Sequence, residues 1–179
     1  MTLKTKFRVM VIVSGAGLLA VAGFWIQGQR SALLSGKLET TKKLVDVPYS
    51  MIEREYALEA AGKITRVEAQ QRAIEAIRTM RYEGKNYFWI NDDHPTMIMH
   101  PTKPELNGTD LTSFKDPKGM ALFVECVKAA QSPDGGYVHY SWPKPGADAP
   151  VAKLFFVKRF APWGWIIGTG IYIDDVDAA

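Results

Sequence analysis

The residues best suited to chemistry in this sequence are aromatic, histidine and lysine side chains in segments of alternating polarity. They are Tyr87, Trp89, His100, Tyr137, His139, Tyr140, Trp142 and Lys153. Residues two apart in a strand share a face, so Tyr87 lies with Trp89, Tyr140 with Trp142, and Lys153 with Phe155. Aromatic walls with a few aimed polar groups are typical of a small-ligand cavity. A lysine on such a face suits an anion, because a carboxylate gains a charge-assisted hydrogen bond there.

These residues also have a plainer interpretation. The aromatic side chains could pack an ordinary core or face solvent, and Lys153 could simply be exposed. The alternation of residue types is the same in both cases, so it leaves both interpretations open. A pocket for a small anion is one of the two.

Catalytic and metal-binding signatures are missing from the sequence. His94, His100 and His139 have neither the HxxxH nor the HExxH spacing, so we expect no metal centre on them. The acid pairs at residues 92–93 and 174–175 are adjacent in the chain. Adjacent residues in a strand point to opposite faces, so neither pair could act jointly on one substrate.

The remaining candidate motifs have structural explanations. Cys126 is the only cysteine and lies in an apolar helical segment, so we expect a core residue and no disulfide. Gly168 and Gly170 lack the spacing of a dinucleotide-binding loop, and within a strand they should permit the close approach of a neighbouring element. The sequence therefore predicts a protein that is not an enzyme and has no cofactor.

The charge distribution argues against a nucleic-acid partner. The chain carries 22 Lys and Arg against 19 Asp and Glu, and the excess is accounted for by Lys4, Lys6 and Arg8. The rest of the chain is balanced, whereas binding to phosphates needs clustered basic residues. A hydrophobic content of 47% excludes a disordered chain and suits a packed core.

The N-terminal region predicts a membrane segment. Residues 7–26 are 20 mostly apolar residues in which Arg8 is the only charged side chain, and as a helix they would span about 30 Å. The basic residues before them place residues 1–6 in the cytoplasm and residues 27–176 outside it. The alternative is a signal peptide cleaved at the small-x-small motif of residues 20–22. Because the apolar run continues beyond this motif, an uncleaved anchor is favoured.

The next segments have helical periodicity. Residues 27–61 form one predicted helix, in which Pro48 should cause a kink or a break, and Gly62 should end it. A capping box at residues 65–68 begins a second helix, which Gly84 should end.

After Gly84 the pattern changes to the period of strands. The predicted strands are residues 86–91, 96–100, 137–142, 151–159 and 165–173. A loop over residues 101–118 leads into a third helix, which should begin at Asp116 and run to about Ala130. Short turns between strands indicate antiparallel neighbours. The predicted fold class is α+β, with a five-stranded antiparallel sheet and its helices packed on one side.

Several stretches resemble a single Cache domain of the type found in bacterial chemoreceptors. They are residues 81–92, 97–108, 140–146 and 163–172, together with Lys153. The resemblance covers about residues 30–176. It implies a PAS-like sensor fold, in which a long N-terminal helix continues from the transmembrane segment and an antiparallel sheet is flanked by helices.

The resemblance also implies a ligand site and a function. By position, the pocket residues would be Tyr87, Trp89, His100, Tyr140 and Lys153, with Arg81 as a further candidate. Members commonly sense short carboxylates such as acetate, propionate, pyruvate or lactate. The expected function is therefore extracytoplasmic sensing of a small organic acid for chemotaxis or related signalling.

The resemblance has consequences for partners and location. We expect a homodimer held through the first helix, anchored in the inner membrane with its sensor domain in the periplasm. Membrane receptors of the family carry a second transmembrane helix and a signalling module after the last strand, so an output module or partner is expected outside these 179 residues. The alternative is a free-standing periplasmic binding protein that presents its ligand to a separate receptor or kinase.

Overall fold

The computed structural model describes residues 2–144, 146–147 and 149–174, except for the side chains of residues 6, 9, 11–14 and 16. The chain divides into two compact units, residues 1–36 and residues 37–179. The first unit holds the opening part of helix α1 (Leu3–Ala60). The second unit holds the rest of α1 and all the other elements.

In the part of the chain that the structure describes, no helix combines the length and the apolarity needed to cross a membrane. The predicted transmembrane segment, residues 7–26, is helical as part of α1, and several of its side chains lie outside the described residues. Membrane crossing, and with it the cytoplasmic placement of residues 1–6, stays a prediction.

Helix α1 continues through Pro48, so of the predicted kink or break the break does not occur, and the kink stays a prediction. Proline lacks the amide that would donate to the carbonyl of Leu44, which weakens a helix at this point. Val45 and Ile52, on either side of Pro48, are fully buried in the core, and this packing holds the helix together. Gly62 follows the end of α1 with a φ of 66°, as predicted for a helix stop.

Helix α2 (Arg66–Arg78) begins as predicted and ends earlier than predicted. The Thr65 hydroxyl accepts a hydrogen bond from the Glu68 amide at 3.2 Å, and the Glu68 carboxylate pairs with Arg72 instead of reaching back to the cap. The predicted end at Gly84 is wrong, because residues 81–82 already form a short strand paired with residues 86–87. Gly84, with a φ of 84°, lies in the turn between them.

Within the described residues, six strands form one antiparallel sheet. They are β1 (Arg81–Tyr82), β2 (Asn86–Asp92), β3 (Met97–Met99), β4 (Gly136–Pro143), β5 (Pro150–Phe160) and β6 (Trp165–Tyr172). The order across the sheet is β1-β2-β6-β5-β4, and β3 pairs with β2 off this path. The five predicted strands are confirmed. Strand β1 was not predicted, because two residues are too few to show an alternating pattern.

Helices cover both faces of the sheet, which corrects the predicted packing on one side. Helices α1 and α2 pack on the face that carries Phe88, Ile90 and Ile167. Helix α3 (Leu122–Ala129) packs on the opposite face, with Tyr87, Trp89 and the aromatic residues of β4. The error arose because the periodicity of a helix shows which of its own faces is apolar and does not show which face of the sheet it covers.

Helix α3 begins at Leu122, and the predicted start at Asp116 is wrong. Asp116 instead accepts hydrogen bonds from the amides of Lys118 and Met120, and from the amide of Ser141 on β4 at 3.1 Å. Burial alone would raise the pKa of Asp116, but these amide hydrogen bonds outweigh it and hold the pKa below its usual value. The carboxylate thereby ties the loop before α3 to β4.

Candidate functional site

Lys153 lies in the middle of a row of three side chains that crosses the sheet. The strand register places it between Tyr140 of β4 and Tyr172 of β6. Its Nζ donates to the Tyr172 hydroxyl at 3.4 Å. The same atom lies 4.5 Å from the centre of the Tyr172 ring and 4.6 Å from the centre of the Tyr87 ring. The ammonium group therefore makes cation–π contacts with two aromatic rings.

Lys153 is buried without a counter-ion among the residues that the structure describes. Its side chain is one of the least exposed in the chain, at 2%, and burial lowers its pKa to about 7. No carboxylate contributes to this pKa. Burial of a cation without a partner costs free energy. Binding of an anion beside Lys153 would offset part of this cost. The interpretation in which Lys153 is exposed is wrong.

Tyr87 stands beside this ammonium group as a hydrogen-bond donor. It is buried and packs edge-on against His100, with ring centres 5.0 Å apart. Burial raises the pKa of Tyr87, and hydrogen bonds with Thr102, Trp142 and Tyr172 oppose that shift in part. The phenol therefore stays protonated at neutral pH.

His100 supplies a second neutral donor. Burial lowers its pKa to about 3, and the nearby charges of Lys153 and Lys103 act in the same direction. Its Nδ1 accepts a hydrogen bond from the Lys103 amide at 3.0 Å. The proton of the neutral ring must then be on Nε2, which can donate. The His100 amide is held in turn by Asn107 Oδ1 at 2.8 Å.

Trp89 and Tyr140 form an apolar wall next to these polar groups. Both pack on Phe155, with ring centres 5.1 and 4.6 Å apart. Burial raises the pKa of Tyr140 well above its usual value, so this phenol is also neutral. The cavity enclosed by Trp89, Tyr140, Phe155 and side chains of α3 holds about 10 Å³, roughly the space of one water molecule.

The two glycines of β6 make room for this wall. A Cβ atom on Gly168 would overlap the Trp89 ring, and one on Gly170 would overlap Phe155. The predicted role of these glycines, the close approach of a neighbouring element, is confirmed. Cys126, predicted as a core residue, is fully buried in the same cluster.

The structure brings most of the predicted site residues together and leaves one outside. Tyr87, Trp89, His100, Tyr140 and Lys153 share one face of the sheet or the loop that covers it. Arg81 is exposed, and its guanidinium donates to the carbonyl oxygens of Arg78 and Met80 at 2.8 and 2.7 Å. Whether the five grouped residues bind a ligand stays a prediction.

Three residues of the site were not among the predicted ligand-binding residues. Tyr172 contacts Lys153 and donates from its hydroxyl to the Pro143 carbonyl at 2.9 Å. Its position was available from the sequence, because Gly168, Gly170 and Tyr172 alternate along one face of β6. Trp142 belonged to the aromatic set but was not singled out. Thr102 lies in a loop, where no periodicity could have identified it.

The structure thus places a buried ammonium group among aromatic side chains on one face of an antiparallel sheet. The chain matches the family described as Single Cache domain 2 over residues 33–179, and it belongs to that family. The family consists of ligand-binding sensory domains and not of enzymes.

Two relatives show the settings in which such domains occur. The chain is 42% identical over 178 residues to the methyl-accepting chemotaxis protein McpP of Pseudomonas putida, covering 99% of this chain and 33% of that protein. It is 35% identical over 112 residues to the sensor histidine kinase MctS of Rhizobium johnstonii, covering 62% of this chain and 24% of that protein. The chain thus spans a third or less of the length of these relatives.

Two solved structures share the fold at a TM-score of 0.77. One is described as a periplasmic sensor domain of a chemotaxis protein, is 43% identical, and is matched over 79% of this chain and 98% of its own. The other is described as the structural basis for carboxylic acid recognition by a Cache chemosensory domain, is 47% identical, and is matched over 80% and 98%. Because both solved chains are matched almost end to end, a domain of this extent folds by itself.

Replacing Lys153 with methionine should raise the melting temperature of the ligand-free protein, because the change removes a buried, unpaired ammonium and keeps the length of the side chain. We expect a gain of a few kcal/mol at pH 6. The gain should shrink as the pH rises. The unfolded chain keeps this proton up to the ordinary pKa of 10.5, whereas the folded chain loses it near 7, so the wild type gains stability between those two values.

Thermal melts from pH 6 to 10 measure this difference. The control is Lys118→Met, which removes the same charge from an exposed position and should show no such dependence on pH. A Lys153→Met variant that is less stable than the wild type at pH 6 would contradict the assignment of an unpaired buried charge.

Proposed function

We propose that this chain is the extracytoplasmic sensor domain of a chemoreceptor and that it binds a short-chain carboxylate such as acetate, propionate, pyruvate or lactate. The single observation that carries the proposal is the buried ammonium group of Lys153. A carboxylate would supply the missing counter-ion, and the pair would be stabilised by the low dielectric of its surroundings.

The neighbouring groups suit the two oxygens and the short tail of such a ligand. One carboxylate oxygen would accept from Lys153 Nζ, and the hydroxyl of Tyr172 and the ring of Tyr87 lie beside that atom. The other would accept from His100 Nε2. The apolar wall of Trp89 and Phe155 would contact a methyl or ethyl group but could not satisfy a second charge. These features favour small monocarboxylates over dicarboxylates and amino acids.

Binding would require the site to expand. The cavity beside Trp89 and Tyr140 holds only about 10 Å³ and is not lined by Lys153, so acetate must select or induce a conformation in which the loop of residues 101–118 and Trp142 move. Tyr172 ends β6, and its hydroxyl joins Lys153 to the Pro143 carbonyl. A ligand that engages Lys153 would therefore alter the hydrogen bonding at the end of this strand. We propose this change as the start of the signal.

The first experiment is a thermal-shift screen of residues 33–179 against acetate, propionate, pyruvate and lactate, with acetamide and succinate for comparison. A ligand at a hundred times its dissociation constant should add about 2.7 kcal/mol of stability, a shift of several degrees. Lys153→Met should abolish the shift, and Tyr137→Phe, on the opposite face of the sheet, should retain it. Equal shifts with acetamide and acetate, or a normal response in Lys153→Met, would refute the carboxylate site.

The affinity for a carboxylate should depend on pH above neutrality. The free site loses its proton near pH 7, and the ligand needs the protonated form. The dissociation constant should be flat from pH 5.5 to 6.5 and then rise about tenfold per pH unit well above 7. Calorimetry at pH 8 in buffers of different ionisation enthalpy should also detect the uptake of about one proton. A constant affinity up to pH 9 would argue against Lys153 as the binding cation.

We also propose that the protein forms a homodimer through α1. The supporting observation is that Leu33 and Val47 are 39% and 56% exposed and lie fourteen residues apart on α1, a spacing of two heptads. In full chain purified in its membrane or detergent, Thr40→Cys, seven residues from both Leu33 and Val47, should give an oxidised dimer, whereas Lys63→Cys beyond the end of α1 should not. The native Cys126 is buried and should not interfere. Equal crosslinking of the two variants would count against this dimer.

A further inference from the structure

Trp142 separates the inner cavity from a larger groove that opens to solvent. It lines the inner cavity of about 10 Å³ and also two outer cavities, of about 340 and 190 Å³. The outer cavities share Lys103, Glu105, Trp142 and Pro143, so they form one continuous depression, which we call the outer groove. It lies between the loop that precedes α3 and the β4–β5 connection.

The outer groove combines apolar walls with positive charge. Leu106, Phe114 and several prolines form the walls, and Lys103 and Lys115 supply cations. Among the described residues, neither lysine forms an ion pair with a carboxylate. Asp116 also lines the groove, but both of its oxygens accept hydrogen bonds from backbone amides. Glu105 adds one carboxylate against the two lysines, and Lys144, which also lines the groove, is paired with Asp174. The remaining balance is one positive charge, which favours a small anion with an apolar part.

Lys103 connects the outer groove to the inner site. Its ammonium group lies 5.4 Å from the centre of the Trp142 ring, and its backbone amide fixes the tautomer of His100. The side chain of Lys103 thus contacts Trp142, and its backbone amide holds His100. A side-chain substitution at position 103 can remove the first contact and keep the second.

Trp142 closes the inner cavity by ring packing. It is 6% exposed and contacts the rings of Phe114 and His100 at centre distances of 5.8 and 5.9 Å. Phe123 of α3 packs against it at 6.4 Å. An anion that travels from solvent to Lys153 through the groove would have to displace this ring.

We propose that the outer groove is a second, weaker binding site for the same small carboxylate, in which Lys103 holds the anion outside Trp142 before it reaches Lys153. This inference rests on the proposed carboxylate-binding function. An anion at Lys103 competes with the Trp142 ring for the ammonium group. Its arrival therefore weakens the cation–π contact that helps to hold the ring in place.

The equilibrium test uses residues 33–179 with the Lys153→Met change, which removes the inner anion site. In a titration with millimolar sodium acetate at constant ionic strength, the backbone amide signals of Lys103, Phe114 and Ser141 should shift and saturate. Adding Lys103→Met should abolish these shifts, and adding Lys118→Met should leave them in place. Acetamide should produce none. Absent shifts, or shifts that persist without Lys103, would overturn the inference.

A kinetic test does not depend on the folding of the Lys153→Met variant. Trp89 and Trp142 line the inner cavity, so stopped-flow tryptophan fluorescence can follow acetate entry in an otherwise unchanged domain. Lys103→Met should lower the association rate constant about three- to tenfold at low ionic strength, with a smaller change in the dissociation constant, because exit is slowed as well. The Lys118→Met control should differ little from the wild type. Equal association rates in the two variants would overturn the inference.

The outcomes separate the two proposals. A wild-type domain that binds no carboxylate would refute both the proposed function and this inference. Binding that depends on Lys153, with neither groove shifts nor an effect of Lys103 on the rate, would refute only the outer site.

Discussion

The burial of one ammonium group without a counter-ion is the constraint around which the site is organised. Lys153 is held by a hydrogen bond to Tyr172 and by two ring faces, which compensate only part of the lost hydration. The groups around it are accordingly neutral: His100 keeps a single ring proton, and the pKa of Tyr87 is raised by burial. An acid placed here would satisfy the lysine permanently and leave nothing for a ligand to supply.

Much of this arrangement was predictable, because strands and faces follow from alternation. The five longer strands, the antiparallel pairing and the placing of Tyr87 with Trp89 and of Lys153 with Phe155 needed only the period of two. The family resemblance brought Tyr87, Trp89, Tyr140 and Lys153 together from different strands. The close approach at Gly168 was predictable for the same reason. His100 belonged to the predicted strand of residues 96–100 but lies just after β3, and the family resemblance placed it with the pocket residues.

What could not be predicted depends on contacts between distant segments. The turn at Asp116 looked like a helix start, because the sequence does not show that its second carboxylate oxygen is used by Ser141 on another strand. Pro48 looked like a break, because the packing of Val45 and Ile52 comes from other elements. In each case the partner was a group that local sequence does not specify.

The two-sided packing of the sheet separates two sets of side chains that alternate along the same strands. Lys153 and Phe155 belong to the ligand face, whereas Leu154 points to the opposite face and Phe156 packs with the helices there. Substitutions on the first set change what the cavity accepts without touching the packing of α1. Evolution can therefore vary the side chains that line the cavity while the attachment of the long first helix to the sheet is inherited unchanged.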